Sequence, residues 1–529
     1  FLIYVFLFNI LILLNLNSNF RLISLIFIFF QIIYFIKNIG NLNFNFFKKI
    51  QINNIDKYVI IISLFFYLIS ILPISDADSI ALHQNISNQL YFYGIKNIDL
   101  QYYINFSILS NSQILQILSP ILNSDNFGAQ LNVLTLLFFL ISSYKIHKNF
   151  TLILFSCPLI IYFISAQKLQ LFFGVLYLLV FVIIHQKLIK HKIGLCLTIF
   201  LLAFYASANL NYILLSIPLY FFLIFKYKKM IKDIIIFSAL SFIIIIFPLF
   251  LIKHIYYGNF IAPFLDDIFG KNNTSYNAYA YALRSTEGWL SNPLNYEYYL
   301  RPFISFKIQT LSSSFGLIFI FMLIDYKMLK KLNYFPILLI LIILSTGQIL
   351  PRYYFEAFLI LAYFFKFKNI LPKLIILGQS SVIFLISITF IYISYVKLNV
   401  MHDKTLFLNN FAYTHFNSEQ NKNITVEENI LDLTAARDST FYKKNILSTR
   451  TLDVLNSYNS NIDLNLFNFL NKNSIKYLIL KNSQSLPECL KTKHIQTIQR
   501  KAAVRNFLVK KNASNQNVNV VKIILNNCK

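Results

Sequence analysis

The chain has 529 residues, of which 57% are hydrophobic and 17% aromatic, while only 13% are charged. A soluble globular chain carries about a quarter charged residues, so this composition excludes an ordinary soluble domain and predicts a protein with many membrane spans. The formal net charge of +26 does not predict nucleic-acid binding, because Lys and Arg also mark cytoplasmic loops and anionic lipid surfaces. The chain begins at Phe1 rather than Met, and we therefore expect a fragment without its true N-terminus.

Apolar runs recur through the first three quarters of the chain. A bilayer requires about 20 mostly apolar residues, with about 17 as the lower limit, and on that rule we expect about thirteen transmembrane helices. The region 192–225 could also be one broken span, and the start of the chain would truncate the first. The predicted spans fall near 1–15, 20–37, 57–74, 131–146, 150–166, 169–186, 192–207, 209–225, 233–252, 310–325, 333–349, 353–367 and 372–396.

The lysines in the segments between predicted spans indicate which side of the membrane each segment faces. If thirteen spans alternate, every cluster falls on one side, and the positive-inside rule makes that side cytoplasmic. The outer side then holds loops 75–130 and 253–309 and the tail from about 397. We expect the chain to lie in a bacterial inner membrane, with the active site and the tail facing outward. The clusters are Lys48, Lys49 and Lys57; Lys145 and Lys148; Lys187, Lys190 and Lys192; Lys226, Lys228, Lys229 and Lys232; Lys327, Lys330 and Lys331; and Lys366, Lys368 and Lys373.

The predicted fold class is an all-α polytopic membrane domain over 1–396, followed by a small α/β soluble domain over 397–529. The tail carries 19 Lys and Arg against 9 Asp and Glu, and its pattern changes to short units. "KNILST" (444–449) is typical of a strand, "NLFNFLNKN" (465–473) of a helix, and "IKYLILK" (475–481) of a buried strand.

Four cysteines are too few for a disulfide scaffold. Cys489 and Cys528 both lie in the tail, outside the predicted membrane, so a disulfide between them could form. Their separation in space is not determined by the sequence.

The stretch "LPISDADSIALHQNISNQLYFYG" (72–94) places acids directly after an apolar run. Local structure could explain part of it, because Ser75, Asp76 or Asp78 could cap a helix that Gly94 ends. That helix would lie at the membrane surface with its apolar side chains facing lipid, namely Ile80, Ile86 and Leu90.

Capping needs one of these side chains, not both acids. A carboxylate at the membrane face is costly unless it is solvated or used. Asp76 or Asp78 could take a proton from an acceptor hydroxyl, or the two could hold a divalent cation against a phosphate. His83 is either part of this group or an interfacial polar residue.

Basic residues stand at three further predicted span ends. In "LIKHIYYGNFIAPFLDDIFG" (251–270), Lys253 and His254 offer cationic donors. In "SAQKLQ" (165–170), Gln167 and Lys168 either form part of a site or belong to a plain connector.

The third is "TGQILPRYYFEAFLIL" (346–361), where Arg352 suits a phosphate because of its fork geometry. Arg352 could instead extend to lipid headgroups, and Glu356 could be its partner at i+4. Tyr353 belongs either to the site or to an aromatic belt.

Three of these stretches resemble the GT-C superfamily of integral-membrane glycosyltransferases, which includes the dolichyl-phosphate-mannose-type protein mannosyltransferases and the bacterial aminoarabinose transferases. They are "DAD" at 76–78 with a His soon after, "KHIYYGNFIAP" at 253–263, and "PRYYFEAFLIL" at 351–361, similar to the "RY" element of such enzymes. The resemblance covers most of 57–396.

The resemblance implies transfer of a sugar from a polyprenyl-phosphate carrier to a lipid, glycan or protein acceptor on the outer face of the membrane. Asp78, or else Asp76, would be the general base. Arg352 and Lys253 would hold the lipid phosphate. No certain cofactor is implied, although a divalent cation at Asp76 and Asp78 is open.

Two other classes of function remain open from the sequence. An O-antigen polymerase or ligase would place catalytic arginines in a large outer loop, and Arg284 and Arg301 lie in 253–309. A lipid flippase or transporter would need polar groups near mid-membrane, for which Asn209 and Asn211 are the candidates.

Overall fold

A computed structural model describes the chain over the ranges given at the end of this paragraph. Within them the chain is mostly helical, with one small sheet near its C-terminal end, which confirms the coarse prediction of fold class. The predicted Cys489–Cys528 pair lies outside the described residues. The described ranges are 1–39, 54–74, 79–95, 108–143, 148–262, 299–304, 314–346, 350–367, 369–404, 406–407, 423–426, 428, 430–433, 446–448, 470–471, 475–481, 486, 490–501 and 515–526.

The helices of the first half surround a core rich in phenylalanine. A π-helical turn, Ser79–Gln84, runs directly into α4. The helices are α1 (Leu2–Leu13), α2 (Phe20–Ile39), α3 (Asn54–Ser70), α4 (Asn85–Tyr93), α5 (Asn111–Leu115), α6 (Leu118–Ile121), α7 (Phe127–Ser143), α8 (Lys148–Ser156), α9 (Pro158–Ile164), α10 (Gln170–His185), α11 (Lys192–Ala208) and α12 (Leu210–Lys226).

The later helices contribute to the same core, where the Phe315 and Phe358 rings stack 4.5 Å apart. A short 3₁₀ helix, Pro351–Tyr354, precedes α18. The helices are α13 (Ile231–Ser241), α14 (Phe247–Tyr257), α15 (Ile318–Ile324), α16 (Tyr326–Lys331), α17 (Phe335–Ser345), α18 (Phe355–Phe364) and α19 (Ile370–Ile391).

Two continuous helices are long and apolar enough to cross a bilayer, among the residues that the structure describes. The first is Lys228–Tyr256, in which the π-helical turn Phe242–Ile246 joins α13 to α14. The second is Ile370–Lys397, in which the π-helical turn Tyr392–Lys397 continues α19. The shorter apolar helical stretches found among the described residues have 10–17 residues. The structure therefore does not support the predicted count of thirteen spans, but its two long helices indicate association with a membrane.

Short helices replace several predicted spans because particular residues end or start them. The predicted span 150–166 is two helices, since Pro158 lacks an N–H and begins α9 after the extended Cys157. The predicted break within 192–225 is confirmed: Asn209 is extended, and its side chain accepts from the Asn211 N–H. Hydropathy alone does not reveal the break at Cys157, because the residues on both sides of it are apolar.

The helix predicted after the acidic stretch is present, and its environment corrects the prediction. The helix ends at Gly94, whose φ of 70° suits glycine. Ile86 and Leu90 are fully buried, so the expectation that they face lipid is wrong, while the side chain of Ile80 lies outside the described residues. The Asn17 side chain donates to the Tyr91 carbonyl, which holds the helix against the protein.

A layer of buried polar side chains joins four parts of the helical region. The Asn111 amide donates to Ser207 Oγ at 2.7 Å and to the Ile245 carbonyl at 3.0 Å, and it accepts from Asn9 at 2.9 Å. Ser110 Oγ donates to the Ala208 carbonyl. Buried polar groups are stable only with such partners, so this layer fixes how α1, α5, α11 and the π-helical turn before α14 meet.

The C-terminal sheet has the strand order β2-β1-β3-β5-β4. Strands β1 and β2, and β1 and β3, are parallel, whereas β5 runs antiparallel to both β3 and β4. Apolar clusters cover both faces, one around Leu478 and one around Ile479. The strands are β1 (Ile430–Asp432), β2 (Ile446–Ser448), β3 (Tyr477–Lys481), β4 (Leu490–Lys501) and β5 (Asn515–Asn526).

The elements predicted in the tail can be compared where the structure describes them. The strand predicted at 444–449 is confirmed over residues 446–448 as β2, and the strand predicted at 475–481 is confirmed as β3. Of the helix predicted at 465–473, the structure describes Leu470 and Asn471, and both are helical. The sequence analysis did not predict the long hairpin of β4 and β5.

Candidate functional site

Two cations from distant parts of the chain meet at the Tyr162 hydroxyl, and one of them also bonds to Tyr353. We call these four side chains the Tyr162 cluster: Tyr162, Lys168, Arg352 and Tyr353. The Lys168 ammonium donates to the Tyr162 hydroxyl over 2.6 Å, and the Arg352 guanidinium donates to the same oxygen over 3.4 Å. A second guanidinium nitrogen donates to the Tyr353 hydroxyl over 3.1 Å. The structure thus brings together three residues that the sequence predicted separately.

The aromatic rings of the cluster also contact its cations. The guanidinium carbon of Arg352 lies 5.0 Å from the centre of the Tyr353 ring, and the Lys168 ammonium lies 5.3 Å from the centre of the Tyr162 ring. The Lys168 residue is only 6% exposed. Removing an ammonium from water is costly, and the hydroxyl and the ring of Tyr162 both contact this ammonium.

A buried amide holds the turn that carries Lys168. The Asn132 side chain, on α7, donates to the carbonyls of Phe163 and Lys168 at 2.9 and 2.7 Å. Its oxygen accepts from the N–H of Phe172, in the first turn of α10. Each of these bonds ends on backbone, so Asn132 sets the path of the chain between α9 and α10 and with it the position of Lys168.

Gln167 helps to hold the same turn, and its predicted role in substrate binding stays a prediction. Its side-chain oxygen accepts from the Gly128 N–H over 2.6 Å, and its carbonyl accepts from Gln116 over 2.9 Å. Its own N–H donates to Ser79 Oγ over 3.0 Å. Ser79 follows Asp78 in the sequence, so this bond connects the basic turn to the residue after the acidic stretch.

Arg352 owes its place to the 3₁₀ helix that begins at Pro351. The predicted partner Glu356 lies elsewhere, which corrects the expected i+4 pair. Its carboxylate is fully buried and accepts from the Tyr205 hydroxyl at 2.8 Å. The other carboxylate oxygen has no hydrogen-bond partner among the described residues. The cause is geometric: the turn at Arg352 is 3₁₀ and Glu356 is α-helical, so the two side chains leave the axis in different directions.

His83 lies in the π-helical turn that precedes α4, and its ring is half-buried. Its Nδ1 lies 3.5 Å from the Gln113 amide nitrogen, and its carbonyl accepts from Ser87. These two contacts join His83 to α5 and to α4. Its predicted role in substrate binding stays a prediction.

Lys253 and His254 are consecutive residues of α14 with different surroundings. Lys253 is buried, and its ammonium donates to the Ala262 carbonyl at 2.6 Å. His254 is exposed on the other side of α14. Lys253 closes the turn that begins at Gly258, whose φ is 71°, and its phosphate-binding role stays a prediction.

The predicted acids and metal site cannot be placed in this geometry. Asp76 and Asp78 lie outside the described residues. Among the residues that the structure describes, no group of three His, Cys, Asp or Glu side chains is arranged to hold a metal ion. The prediction of a divalent cation at the two aspartates therefore stays a prediction.

Sequence reasoning missed Tyr162, Asn132 and Gly128. Tyr162 resembled one more aromatic residue in an apolar run. Asn132 offered a usable signal, because an amide inside an apolar helix needs a buried partner. Gly128 offered none, since its role depends on Gln167, which is 39 residues away.

The Tyr162 cluster can bind an oxyanion through a guanidinium fork, an ammonium and phenol hydroxyls. Its aromatic rings add apolar surface beside the charge. No model of a known protein family matches the chain, and no curated protein matches it either. The side chains of the cluster therefore carry the functional argument.

Proposed function

We propose that the chain is a membrane glycosyltransferase of the GT-C type that moves a sugar from a polyprenyl-phosphate carrier to a lipid, glycan or protein acceptor. The observation that carries the proposal is the convergence of Lys168 and Arg352 on the Tyr162 hydroxyl. Two cations from distant parts of the chain suit a phosphate, which carries more than one anionic oxygen. The helical region would lie in a bacterial inner membrane with the cluster facing outward.

In the proposed reaction, Lys168 and Arg352 bind the phosphate of the carrier. The acceptor hydroxyl attacks the anomeric carbon, and the bond from that carbon to the carrier phosphate oxygen breaks. Asp78, or else Asp76, takes the hydroxyl proton as general base. Lys168 and Arg352 stabilise the negative charge that develops on the leaving phosphate.

The hydrogen bond from Gln167 to Ser79 supports this division of roles. Ser79 is the residue after Asp78 and is bonded to the turn that carries Lys168. A base and a phosphate clamp must act on the two sides of one glycosidic bond. The bond keeps the residue after Asp78 next to the turn that carries Lys168, which supports assigning both roles to one site.

The test is sugar release from a radiolabelled polyprenyl-phosphate sugar pool by the purified full chain. We expect Asp78→Asn, or else Asp76→Asn, to lower turnover by about 10²–10⁴-fold, with the carrier lipid still bound. Arg352→Gln and Lys168→Gln should instead weaken carrier binding by about 10–100-fold, because each removes a charge-assisted contact.

Lys476→Gln is the matched control, since it removes one positive charge from an exposed residue in the C-terminal sheet. No turnover by the wild type with any common donor would contradict the proposal and favour a polymerase, a flippase or an inactive relative. Unchanged carrier binding in both cationic variants would contradict the assignment of the Tyr162 cluster to phosphate.

A further inference from the structure

One face of the C-terminal sheet combines three lysines with two exposed isoleucines. Lys493 on β4 and Lys522 on β5 are direct register partners, and Lys522 is in turn the partner of Tyr477 on β3. Side chains two residues apart on a regular strand share a face, which adds Lys491 to this set, and Ile495 and Ile524 stand at the two register shifts beside these lysines. We call this set the lysine–isoleucine face, and it consists of Tyr477, Lys491, Lys493, Ile495, Lys522 and Ile524.

The lysines of this face are arranged unfavourably for the isolated sheet. Like charges directly opposite each other on paired strands are destabilising, and Lys493 faces Lys522 in this way. All three lysines are exposed, and neither β4 nor β5 contains an Asp or Glu. Among the described residues none of the three makes an ion pair. Lys522 lies 5.9 Å from the centre of the Tyr477 ring.

The isoleucines are exposed because of irregularities in the hairpin. Ile495 is 41% exposed and Ile524 is 61% exposed, and within the described part of the sheet they are the only large apolar side chains that are this open. The β4–β5 register skips both residues, at the shift between His494 and Gln496 and at the shift between Lys491 and Thr492. A β-bulge redirects a side chain, and here two bulges direct isoleucine outward.

We propose that the lysine–isoleucine face docks on the surface of an anionic bilayer. Lysines near a membrane are attracted by anionic headgroups, exposed apolar side chains enter the boundary between headgroups and acyl chains, and tyrosine suits that boundary. An acidic glycan or a nucleic acid would also bind the lysines, but it would gain little from the isoleucines.

The chain itself keeps the face near a bilayer. The helix Ile370–Lys397 is one of the two described helices that could cross a membrane, and β1 begins at Ile430. A short tether raises the effective concentration of the sheet at the surface. Weak individual contacts then suffice for docking, which does not depend on the proposed transferase activity.

Lysine acetylation of the full chain in lipid nanodiscs tests the proposal. The chain would be labelled with a water-soluble acetylating ester in phosphatidylcholine discs, with and without phosphatidylglycerol, and each lysine read by mass spectrometry. We expect the rates at Lys491, Lys493 and Lys522 to fall at least about fivefold in the anionic discs. Lys476, paired with Glu428 at 3.6 Å, is the internal reference and should change little.

A double variant, Ile495→Asn with Ile524→Asn, keeps every charge and should lose most of this protection. Equal rates in the two kinds of disc would overturn the proposal, as would full protection in the double variant. Protection by added polygalacturonate or a single-stranded DNA oligonucleotide, but not by phosphatidylglycerol, would assign the face to a soluble polyanion and overturn it as well.

Discussion

The two cationic regions of this protein differ in how far the fold constrains them. In the Tyr162 cluster, Lys168 is almost buried, and it donates to a hydroxyl on a neighbouring helix. The turn that carries it is held by the amides of Asn132 and Gln167. On the lysine–isoleucine face, Lys493 and Lys522 are exposed and stand opposite each other on paired strands.

This difference separates two uses of positive charge. A buried ammonium has a fixed position and a weakly screened field, so it suits one ligand group at one place. An exposed lysine keeps its rotamers and its water, so it contributes attraction over distance and little positional specificity. The first arrangement fits a substrate site and the second fits a surface contact.

Gly128→Ala should have the largest effect on stability, because it displaces the turn that carries Lys168. A Cβ at Gly128 would lie 2.5 Å from the Gln167 carbonyl oxygen, so the turn that carries Lys168 must shift. We expect a loss of about 1–3 kcal/mol of stability from overpacking, seen as a lower melting temperature in detergent by circular dichroism, and faster acetylation of Lys168.

Gly194→Ala is the control for that change, because its Cβ would meet its nearest neighbour, Ile189, only at 3.9 Å. It should raise stability slightly, since alanine favours a helix over glycine by about 1 kcal/mol. Equal melting temperatures for the two variants would show that the turn does not rest on Gly128.

Tyr162→Phe should have the next largest effect. It removes the oxygen that Lys168 and Arg352 share but keeps the ring. Leaving the buried Lys168 ammonium with fewer partners costs about 1–3 kcal/mol, and binding of a polyprenyl phosphate should weaken in titration calorimetry. Tyr220→Phe, which removes a hydroxyl bonded to Ser238, is the matched control. If both variants bind equally well, the Tyr162 hydroxyl has no part in the site.

Raising the salt concentration should change the acetylation of the two regions differently, with no substitution needed. The Debye length falls from about 10 Å at 0.1 M salt to about 3 Å at 1 M. Protection of Lys493 by anionic discs should therefore decline as salt rises, while the low acetylation rate of Lys168 should persist because burial causes it. The same salt response at both lysines would remove the distinction drawn between the two regions.

The smallest effect should come from Lys493→Gln. It removes a like charge opposite Lys522 and should stabilise the hairpin by about 0.2–1 kcal/mol. Slower amide hydrogen exchange in β4 and β5 would report the gain. Lys476→Gln breaks an exposed ion pair and should change stability by no more than about 1 kcal/mol in the other direction. Faster exchange in the Lys493 variant would contradict the argument from repulsion.

Short-range patterns predicted several elements correctly. The helix that Gly94 ends, the break at Asn209 and strand β3 each depend on signals within a few residues. Gly94 adopts a positive φ, Asn209 caps the next helix, and β3 is a continuous apolar run. Such signals act locally, so they are visible in the sequence.

The misses have a common cause in packing between distant elements. Glu356 has Tyr205 as its partner instead of Arg352. Ile86 and Leu90 face protein instead of lipid. A sequence shows that such a side chain needs a partner, but the partner is chosen by geometry that arises only when helices meet.

The sequence by itself determined that this chain is largely helical and apolar, that its tail forms a small sheet, and that basic residues stand at particular helix ends. These follow from composition and from periodicities of a few residues. The tertiary structure decided the number of long helices and which basic residues meet at Tyr162. It also decided that two bulges expose Ile495 and Ile524 beside the lysines. Those outcomes depend on close packing and on hydrogen bonds over long separations, such as the 190 residues between Tyr162 and Arg352.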